Sequence, residues 1–303
     1  MESGGIQKEL LSYFKFSCDT PSASALSQQR AKFLPDAFEF LLHEFNSRFP
    51  NTKRYKGYRL LACDGSDLNI ARNPKDQDTY FQSMDTDKGF NQFHLNALFD
   101  LCEKQYPDIL IQPARKENES LAMVQMIERY HGDRKTVFIA DRGYETYNIF
   151  AHVQEKGMYY LIRVKDGGGG SMTGSFTLPN KNEFDYDKHL IVTRKQTNEV
   201  KAHPQLYKIL PKSSPFDYLD LQKNTFYPMD FRIVRFAISD ETYECVITNL
   251  PRDSFPMEEI KKLYAMRWGI ETSFRELKYA VGLGCFHSKK VEYIKQEQCQ
   301  VIQ

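Results

Sequence analysis

Long apolar runs are missing from this sequence, and their absence excludes one broad class of protein. No stretch approaches the roughly 18 consecutive apolar residues that a transmembrane helix requires. The first residues, MESGGIQKEL, also lack the charged start and the apolar core of a secretory signal peptide. We therefore expect a soluble, cytoplasmic protein that makes no contact with a membrane.

Cysteine motifs are missing as well. The six cysteines are scattered and no two form a C-x-x-C pair, which argues against a zinc site and against a disulfide framework. A glycine run at 167–170 is not followed by G-K-S or G-K-T, so it predicts a flexible hairpin connection and not a phosphate-binding loop. We expect reduced thiols at Cys18, Cys63, Cys102, Cys245, Cys285 and Cys299.

The sequence also lacks a large excess of positive or negative charge. The 41 basic and 40 acidic residues leave a net charge of +1, whereas many nucleic-acid-binding proteins are strongly basic. The balance counts mildly against such binding but does not exclude it, because counterion release depends on the phosphates that a local patch contacts. The candidate patch is C-terminal and contains Lys261, Lys262, Arg267, Arg275, Lys278, Lys289 and Lys290.

The sequence does contain enough apolar and aromatic material for a folded core. Hydrophobic residues make up 41% and aromatic residues 14% of the 303 positions, so disorder is not the default. A chain of this length holds one large domain with an insertion, or two to three small domains.

The segment Leu263–Val281, LYAMRWGIETSFRELKYAV, has the composition of a single helix, with no proline and one glycine. At about 100° per residue, four polar residues fall within roughly a 60° arc of its surface, with a fifth close by. They are Tyr264, Arg267, Glu271, Lys278 and, fifth, Arg275. An apolar stripe beside this arc would be buried and consists of Leu263, Met266, Ile270, Phe274, Leu277 and Val281.

Two interpretations of this polar arc stay open on the segment alone. The first is a surface helix with intrahelical salt bridges, since Arg267 and Glu271 are an i,i+4 pair. The second is a site that handles a nucleic-acid backbone beside a metal ion, because a carboxylate holds a cation while neighbouring cations and a phenol hold phosphate oxygens.

Two aspartates each follow a short apolar run upstream. Arg59–Cys63 is predicted as a buried strand that ends at Asp64, and 137–140 as a second strand that ends at Asp141. Sheet proteins place their chemistry at such strand ends. The alternative is that both aspartates open turns or cap a helix, since each has a glycine nearby. Asp67 falls in the same predicted turn as Asp64 and is set aside as a decoy.

Hydrophobic periodicity predicts most of the other elements. Strands are predicted at 93–102, 108–115 and 159–164, and helices at 117–130 and 144–156. The region from 171 to about 249 is β-rich, with strands predicted over SFTLP, KHLIVTRK, YKILPK, FRIVRFAIS and YECVITNL. The last two of these form a predicted hairpin around Asp240-Glu241. A further amphipathic helix is predicted to begin near 287.

The N-terminal region, up to about residue 53, is predicted to be helical. Ser22 or Ser24 is the expected N-cap of one helix, and the helical pattern is interrupted near Pro35. A short helix with Ser24, Ser27, Gln28, Gln29 and Arg30 has the side chains of one that could lie against DNA, although an ordinary packing helix fits its composition equally well.

Three motifs in order resemble those of a known family. The spacing Y-(2)-R-(3)-E-(6)-K from Tyr264 to Lys278 resembles the signature of the insertion-sequence-four family of bacterial DDE transposases. D-G-S at 64–66 and D-R-G-Y at 141–144 resemble that family's first and second catalytic boxes. The resemblance covers roughly residues 20 to 290 and implies a bacterial protein.

The resemblance implies a fold class and a division of the chain. The expected fold is α/β, with an RNase H-like mixed sheet and flanking helices, a β-rich insertion and a short N-terminal helical region. The expected parts are 1–53, a partial DNA-binding domain; 54–165, the first part of the catalytic core; 166–249, the β-rich insertion, which contacts DNA or the partner subunit; and 250–303, the C-terminal helical part with the catalytic glutamate.

The resemblance also implies roles for individual residues. Asp64, Asp141 and Glu271 are the expected catalytic residues and metal ligands, and they would hold two Mg²⁺ or Mn²⁺ ions. The expected contacts to DNA phosphates come from Tyr264, Arg267, Lys278 and Arg275.

The implied activity is metal-dependent cleavage and strand transfer of double-stranded DNA at insertion-sequence ends. The partners would be the terminal inverted repeats and the target DNA, with excision through a hairpin end and a homodimer possible on DNA. One alternative is a truncated, catalytically inactive remnant that binds DNA without cutting it. Another is a nuclease of the same fold that cuts without joining, which a strand-transfer assay would distinguish.

Overall fold

The computed structural model describes residues 5–34, 36–49, 52–84, 86–167, 171–220, 225–280, 282–283 and 293–297. The helices are α1 (Ile6–Tyr13), α2 (Ala23–Arg30), α3 (Asp36–Ser47), α4 (Glu119–Arg129), α5 (Tyr147–Glu155), α6 (Asn198–Ala202), α7 (Met257–Ala265) and α8 (Trp268–Tyr279). The strands are β1 (Arg59–Ile70), β2 (Tyr80–Phe81), β3 (Phe90–Asp100), β4 (Gln105–Pro113), β5 (Thr136–Ala140), β6 (Tyr159–Val164), β7 (Phe184–Thr193), β8 (Tyr207–Ile209), β9 (Phe226–Ser239) and β10 (Thr242–Thr248). Within the described residues, no helix combines the length and the apolarity that crossing a membrane requires.

One mixed sheet of ten strands organises the molecule. Its order is β2-β3-β1-β5-β6-β10-β9-β7-β8, with β4 paired to β3. β4, β3 and β1 are antiparallel neighbours, whereas β1, β5 and β6 run parallel. All five residues of β5 are buried, as expected for a central parallel strand covered on both faces. The order β4-β3-β1-β5-β6 is that of an RNase H-like sheet, and it confirms the predicted α/β fold class.

The strands between 166 and 249 extend this same sheet. β10 pairs antiparallel to β6, β9 follows β10, and β7 follows β9. The predicted hairpin around Asp240-Glu241 is confirmed by the antiparallel pairing of β9 with β10. The β-rich segment therefore shares one continuous backbone hydrogen-bond network with the strands that carry the two aspartates.

Two local predictions in this region are wrong. Residues 175–179 form no strand: a 3-10 turn covers Thr173–Ser175, Phe176 packs into the core, and Pro179 has no N–H to donate to a ladder. The glycine run does not join a hairpin, because β6 pairs with β5 and β10 and not with β7. Only the second outcome is decided by pairing between segments distant in sequence.

Residues on the two faces of the sheet enter two separate hydrophobic clusters. Along β1, Leu60 and Ala62 pack in one cluster together with α7 and α8, while Leu61 and Cys63 pack in the other with α4 and α5. This alternation is the ordinary period of two in a strand. The next even-numbered residue, Asp64, therefore points toward the α8 face.

The prediction that the first strand ends at Asp64 is wrong. β1 continues to Ile70, because residues 64–70 stay paired with β3, with Asp64 opposite Ala97 and Ile70 opposite Asn91. What ends at this point is the parallel ladder with β5, whose last pair is Cys63 with Ala140. Asp64 is thus the first residue past the parallel pairing and not the first residue of a turn.

The prediction of one helix over 263–281 is also wrong in detail. α7 ends at Ala265 and α8 begins at Trp268, and the N–H groups of Arg267, Gly269 and Ile270 donate to carbonyls three residues back instead of four. This tightening divides the helix within the signature, so that Tyr264 lies on α7 and Glu271 on α8. Residue 281 lies outside the described part.

The predicted N-terminal helices are confirmed. The Ser22 hydroxyl accepts a hydrogen bond from the Ala25 N–H at 3.1 Å, and the helical pattern is broken around residue 35, between α2 and α3. Arg30 of α2 forms a 2.7 Å ion pair with Glu297. Residues 293–297 are helical, while the rest of the helix predicted from 287 lies outside the described residues.

The cysteines of the described residues are free thiols, namely Cys18, Cys63, Cys102 and Cys245. Cys63 and Cys245 are buried, and Cys18 is exposed. Cys285 and Cys299 lie outside the part of the chain that the structure describes.

Candidate active site

Parallel pairing brings the two aspartates side by side. Cys63 of β1 lies opposite Ala140 of β5, so the next residue of each strand, Asp64 and Asp141, continues from neighbouring positions. Ile139 packs in the α8-side cluster, so Asp141 takes the same face by alternation. Both carboxylates therefore point to the side of the sheet on which α8 lies.

Glu271 lies on α8, on the same side of the sheet as the two aspartates. The packing of α8 fixes the distance of this helix from the sheet. The Tyr106 hydroxyl of β4 donates a 2.8 Å hydrogen bond to Ser273, and the Tyr106 and Phe274 rings stack with centroids 6.1 Å apart. A Cβ on Gly269 would lie 3.0 Å from Leu101 Cδ2, so the start of α8 approaches the β3–β4 connection closely. Glu271 in the first turn of α8 is thereby held over β1.

Arg267 joins the helix to the strand. Its Nη2 lies 2.8 Å from Glu271 Oε1, and its Nη1 lies 3.8 Å from Asp64 Oδ2. The residue is only 5% exposed, and its guanidinium carbon lies 5.7 Å from the centroid of the Tyr264 ring. The intrahelical salt bridge expected in the first interpretation is present, but its guanidinium also faces a carboxylate on the sheet. Arg267 thus connects two of the three predicted catalytic residues.

The carboxylates of Asp141 and Glu271 are close enough to Asp64 to affect its pKa. The pKa of Asp64 is raised to about 6, mainly by burial. The Gly65 N–H and Arg267 lower this pKa, and the neighbouring Asp141 and Glu271 carboxylates raise it. A partly buried group of acids favours a bound cation, because the cation relieves both the repulsion and the cost of burial. An all-oxygen set of ligands is the kind that Mg²⁺ and Mn²⁺ prefer. The side-chain types of these three residues therefore suit a divalent cation, although their oxygens do not all lie within 4.8 Å of one another in this structure.

Asp141 also performs the local role that the alternative interpretation gave it. Its Oδ1 accepts a 2.8 Å hydrogen bond from the Gly143 N–H and so opens the 3-10 turn Arg142–Tyr144. Tyr144, at the end of that turn, is 1% exposed and packs in the core, which anchors the turn. The turn interpretation and the catalytic interpretation are compatible at this residue, because the same hydrogen bond orients the carboxylate.

The four predicted phosphate contacts differ in accessibility. Arg275 is exposed and Lys278 is partly buried on α8, whereas Tyr264 and Arg267 are 2% and 5% exposed. Burial lowers the pKa of Lys278, although the nearby Asp67 carboxylate opposes this shift. The accessible cations among these four residues are therefore Arg275, which lies outside the signature, and Lys278, and phosphate contact by any of the four remains a prediction.

Sequence reasoning missed a histidine with three carboxylates beside the site. His94 of β3 is 6% exposed; its Nδ1 lies 2.8 Å from Asp67 and 3.2 Å from Glu117, and its Nε2 lies 3.0 Å from Glu119. Asp67, set aside as a decoy, is the direct cross-strand partner of His94. The available signal was a histidine within an otherwise apolar predicted strand, but its partners depend on strand register.

Known proteins that resemble this chain include a family of sequences and a solved structure. A family described as "Transposase DDE domain" matches residues 55–298, which is most of the chain. No protein with a curated function matches. A similar solved structure is a chain of the cryo-EM structure of the piggyBac transposase synaptic complex with hairpin DNA, with 10% identity and a TM-score of 0.42, covering 80% of this chain and 45% of that chain. This chain thus spans less than half the length of that one.

The matched range contains Asp64, Asp141 and Glu271, which the fold brings to one face of the sheet. It begins close to β1 and extends beyond α8, so it covers the sheet and the helix that together form the site. The chain belongs to the family of transposases with a DDE domain.

Proposed function

We propose that this protein catalyses metal-dependent cleavage and strand transfer of DNA at the ends of an insertion sequence, within the insertion-sequence-four group that has the Y-R-E-K signature. The observation that carries the proposal is the convergence of Asp64, Asp141 and Glu271 from β1, the end of β5 and α8. Water would attack a phosphodiester at the element's end, and the 3′-hydroxyl so released would attack a phosphodiester of the target.

The proposed cofactor is a pair of Mg²⁺ or Mn²⁺ ions held by these three carboxylates. Two such ions, when bound, activate the attacking oxygen and stabilise the leaving oxygen of a phosphodiester. The fit rests on oxygen ligands in a partly buried acidic group. The Arg267 guanidinium, 3.8 Å from Asp64 and 2.8 Å from Glu271, competes with the ions for these oxygens and would have to move aside when they bind.

Residues of the signature have separate proposed tasks. Arg275 and Lys278 lie toward solvent on α8 and would bind backbone phosphates beside the site. Arg267 and Tyr264 are buried, so a phosphate contact by either requires its side chain to leave this packing. In their present position they hold Glu271 in place through the 2.8 Å ion pair and the ring contact.

The remaining parts of the chain fit a protein that works on two DNA ends. We assign residues 1–53 to DNA binding, 54–165 and 250–303 to the catalytic core, and 166–249 to contacts with DNA or with a second subunit in a homodimer. The substrates would be double-stranded terminal inverted repeats and target DNA. Excision through a hairpin end is part of the same proposal.

Calorimetric titration with Mn²⁺ tests the proposed function without knowledge of the DNA end. The wild type should bind Mn²⁺, and Asp64→Ala and Asp141→Ala should each lose the binding because both aspartates belong to one site. Asp230→Ala is a matched control, since the Asp230 side chain is 80% exposed and lies on β9. A folded wild type that binds no Mn²⁺, with or without DNA, would favour the inactive DNA-binding remnant.

Metal binding should depend on pH through Asp64. Because the pKa of Asp64 is about 6 and not the ordinary 3.8, its carboxylate is protonated in the metal-free protein at mildly acidic pH. Ionisation of Asp64 therefore lowers folding stability as the pH rises through 6, and a bound cation offsets this loss. We expect Mn²⁺ affinity to fall by up to about tenfold per pH unit below pH 6 and to level off above pH 7.

The measurement is Mn²⁺ titration at several pH values in buffers of different ionisation enthalpy, which counts the protons released. Release of close to one proton near pH 5 and of almost none at pH 8 is expected. An affinity that stays constant from pH 5 to 7 would contradict the assignment of the proton to a metal ligand.

Lys278→Ala should weaken DNA binding and reduce the dependence of affinity on salt. If Lys278 contacts one phosphate, the slope of log affinity against log salt should fall by roughly one unit. Fluorescence anisotropy with duplex DNA at several salt concentrations measures this slope. Lys156→Ala is the control, because Lys156 precedes β6 and so lies at the opposite end of the parallel strands β5 and β6 from Asp141. An unchanged slope in Lys278→Ala removes this residue from the phosphate contacts.

A further inference from the structure

Glu119 lies between the two segments that carry the catalytic aspartates. It is the first residue of α4, whose N-cap Asn118 accepts a hydrogen bond from the Leu121 N–H at 2.9 Å. This cap fixes the start of the helix and directs the Glu119 side chain toward β3, where its Oε1 lies 3.0 Å from His94 Nε2. The carboxylate is thus held at two points, by its helix and by the histidine.

Two glycines show how closely this carboxylate approaches the aspartate segments. A Cβ on Gly65, next to Asp64, would lie 2.4 Å from Glu119 Oε1 and 2.3 Å from His94 Nε2. A Cβ on Gly143, two residues after Asp141, would lie 3.3 Å from Glu119 Oε2. The Glu119 carboxylate therefore occupies the space beside both glycines, with Oε1 next to Gly65 and Oε2 next to Gly143.

His94 is fixed in turn by Asp67, which lies 2.8 Å from its other ring nitrogen. Carboxylate oxygens accept hydrogen bonds, and both ring nitrogens of His94 face such oxygens, so both nitrogens donate when the ring is protonated. Burial lowers the pKa of His94, but the hydrogen bonds to Glu119 and Asp67 outweigh it and raise the pKa to about 9. The ring is therefore an imidazolium at neutral pH and forms charge-assisted bonds on both sides.

We propose that Glu119, held by His94, is a positioning residue that sets the spacing between the segments carrying Asp64 and Asp141. Asp64 and Asp141 point toward the face of the sheet on which α8 lies. Glu119 fills the space beside Gly65 and Gly143, which follow the two aspartates in the chain. Removal of this carboxylate would let the Gly65 and Gly143 backbones move and would widen the range of distances between the two catalytic carboxylates. This inference rests on the proposed metal-dependent function.

The test compares Glu119→Ala with Glu119→Gln, using Mn²⁺ titration as the first readout. Glu119→Ala should weaken Mn²⁺ binding by about 10- to 100-fold, the usual effect of losing a residue that orients metal ligands. Glu119→Gln should restore binding to near the wild-type value, because its amide keeps the volume and its carbonyl oxygen still accepts from His94. Glu117→Ala is the matched control, since Glu117 contacts the other nitrogen of His94 and its side chain is 49% exposed.

Hydrogen exchange of the metal-free protein supplies a second readout that does not depend on the proposed function. The Gly65 and Gly143 N–H groups donate to Asp64 and Asp141 at 2.9 and 2.8 Å and report directly on the two segments. Peptides covering 64–66 and 141–144 should exchange faster in Glu119→Ala, and at the wild-type rate in Glu119→Gln and Glu117→Ala. Melting curves by circular dichroism confirm that each variant is folded.

Each outcome separates the inference from the proposed function. If Glu119→Ala matches the wild type in exchange at both segments, the positioning role is overturned. If Glu119→Gln binds Mn²⁺ as weakly as Glu119→Ala does, the negative charge is what matters and the positioning role is again overturned. If the wild type binds no Mn²⁺ yet the exchange pattern appears as expected, the proposed function fails while the positioning by Glu119 stands.

Discussion

Replacement of Asp64 or Asp141 by Asn, or of Glu271 by Gln, is expected to abolish DNA strand cleavage while DNA binding is largely retained. Each change would remove one negative oxygen from the proposed metal site but keep the size of the side chain. Loss of an orienting residue around a metal costs roughly 10- to 100-fold in activity, so loss of a ligand itself should exceed that. Cleavage of supercoiled plasmid with Mn²⁺ and anisotropy with duplex DNA measure the two properties.

The three variants differ in how they affect neighbouring contacts. Glu271→Gln weakens the 2.8 Å ion pair with Arg267, so its folding must be checked by its melting temperature. Asp230→Asn on the exposed surface of β9 should cleave at the wild-type rate. A variant that cuts DNA as fast as the wild type would remove its residue from the catalytic set, and a loss of binding in all three would point to a folding defect.

Replacement of the buried Arg232 by Met should produce the largest loss of stability among the polar residues of the insertion. Arg232 is 5% exposed on β9; its Nη1 donates to the carbonyls of Leu250 and Phe255 at 2.9 and 3.1 Å, and its Nε lies 3.0 Å from Asp185 Oδ1. Met leaves the carboxylate and both carbonyls without this donor. Breaking a buried ion pair from one side costs about 3 to 5 kcal/mol, so we expect a loss in that range.

Arg252→Ala provides the matched control for this prediction. Arg252 also binds Asp185, at 3.0 Å, but its side chain is 44% exposed, so its loss should cost no more than about 1 kcal/mol. Urea unfolding followed by circular dichroism gives the two free energies. Equal losses in the two variants would show that burial of Arg232 does not set the strength of this contact. The hydrogen bonds from Arg232 to the carbonyls of Leu250 and Phe255 matter for the candidate site, because both residues lie in the segment that leads into α7, which carries Tyr264.

Local patterns were sufficient for much of the secondary structure. The apolar run at 137–140 predicts β5, the serine before 23–30 predicts the cap of α2, and polar residues at 240–241 predict the turn between β9 and β10. Each of these features depends on residues that are neighbours in the chain. The wrong prediction for β1 depends on distant residues: β1 continues past Asp64 because β3 pairs with it from Leu61 to Ile70.

In the candidate site, too, some features could be predicted from sequence motifs and others depend on contacts between distant residues. The resemblance in three motifs placed Asp64, Asp141 and Glu271 in order along the sequence, and the structure brings them to one face of the sheet through strand register and helix packing. His94 and Glu119 had no motif, because their relation to Gly65 exists only across strands and between a strand and a helix. The partition of the signature between α7 and α8 likewise follows from hydrogen bonds that a composition rule does not predict.

The sequence by itself determined which residue types are available for chemistry, where the apolar runs lie and, by resemblance, to which group of transposases the chain is compared. Only the tertiary structure decided that Arg267 lies between Asp64 and Glu271, that Tyr264 is buried, and that the Glu119 carboxylate lies beside Gly65 and Gly143. The physical reason is that burial and distance depend on the register between strands and on the packing of helices onto them, and these join residues far apart in the chain.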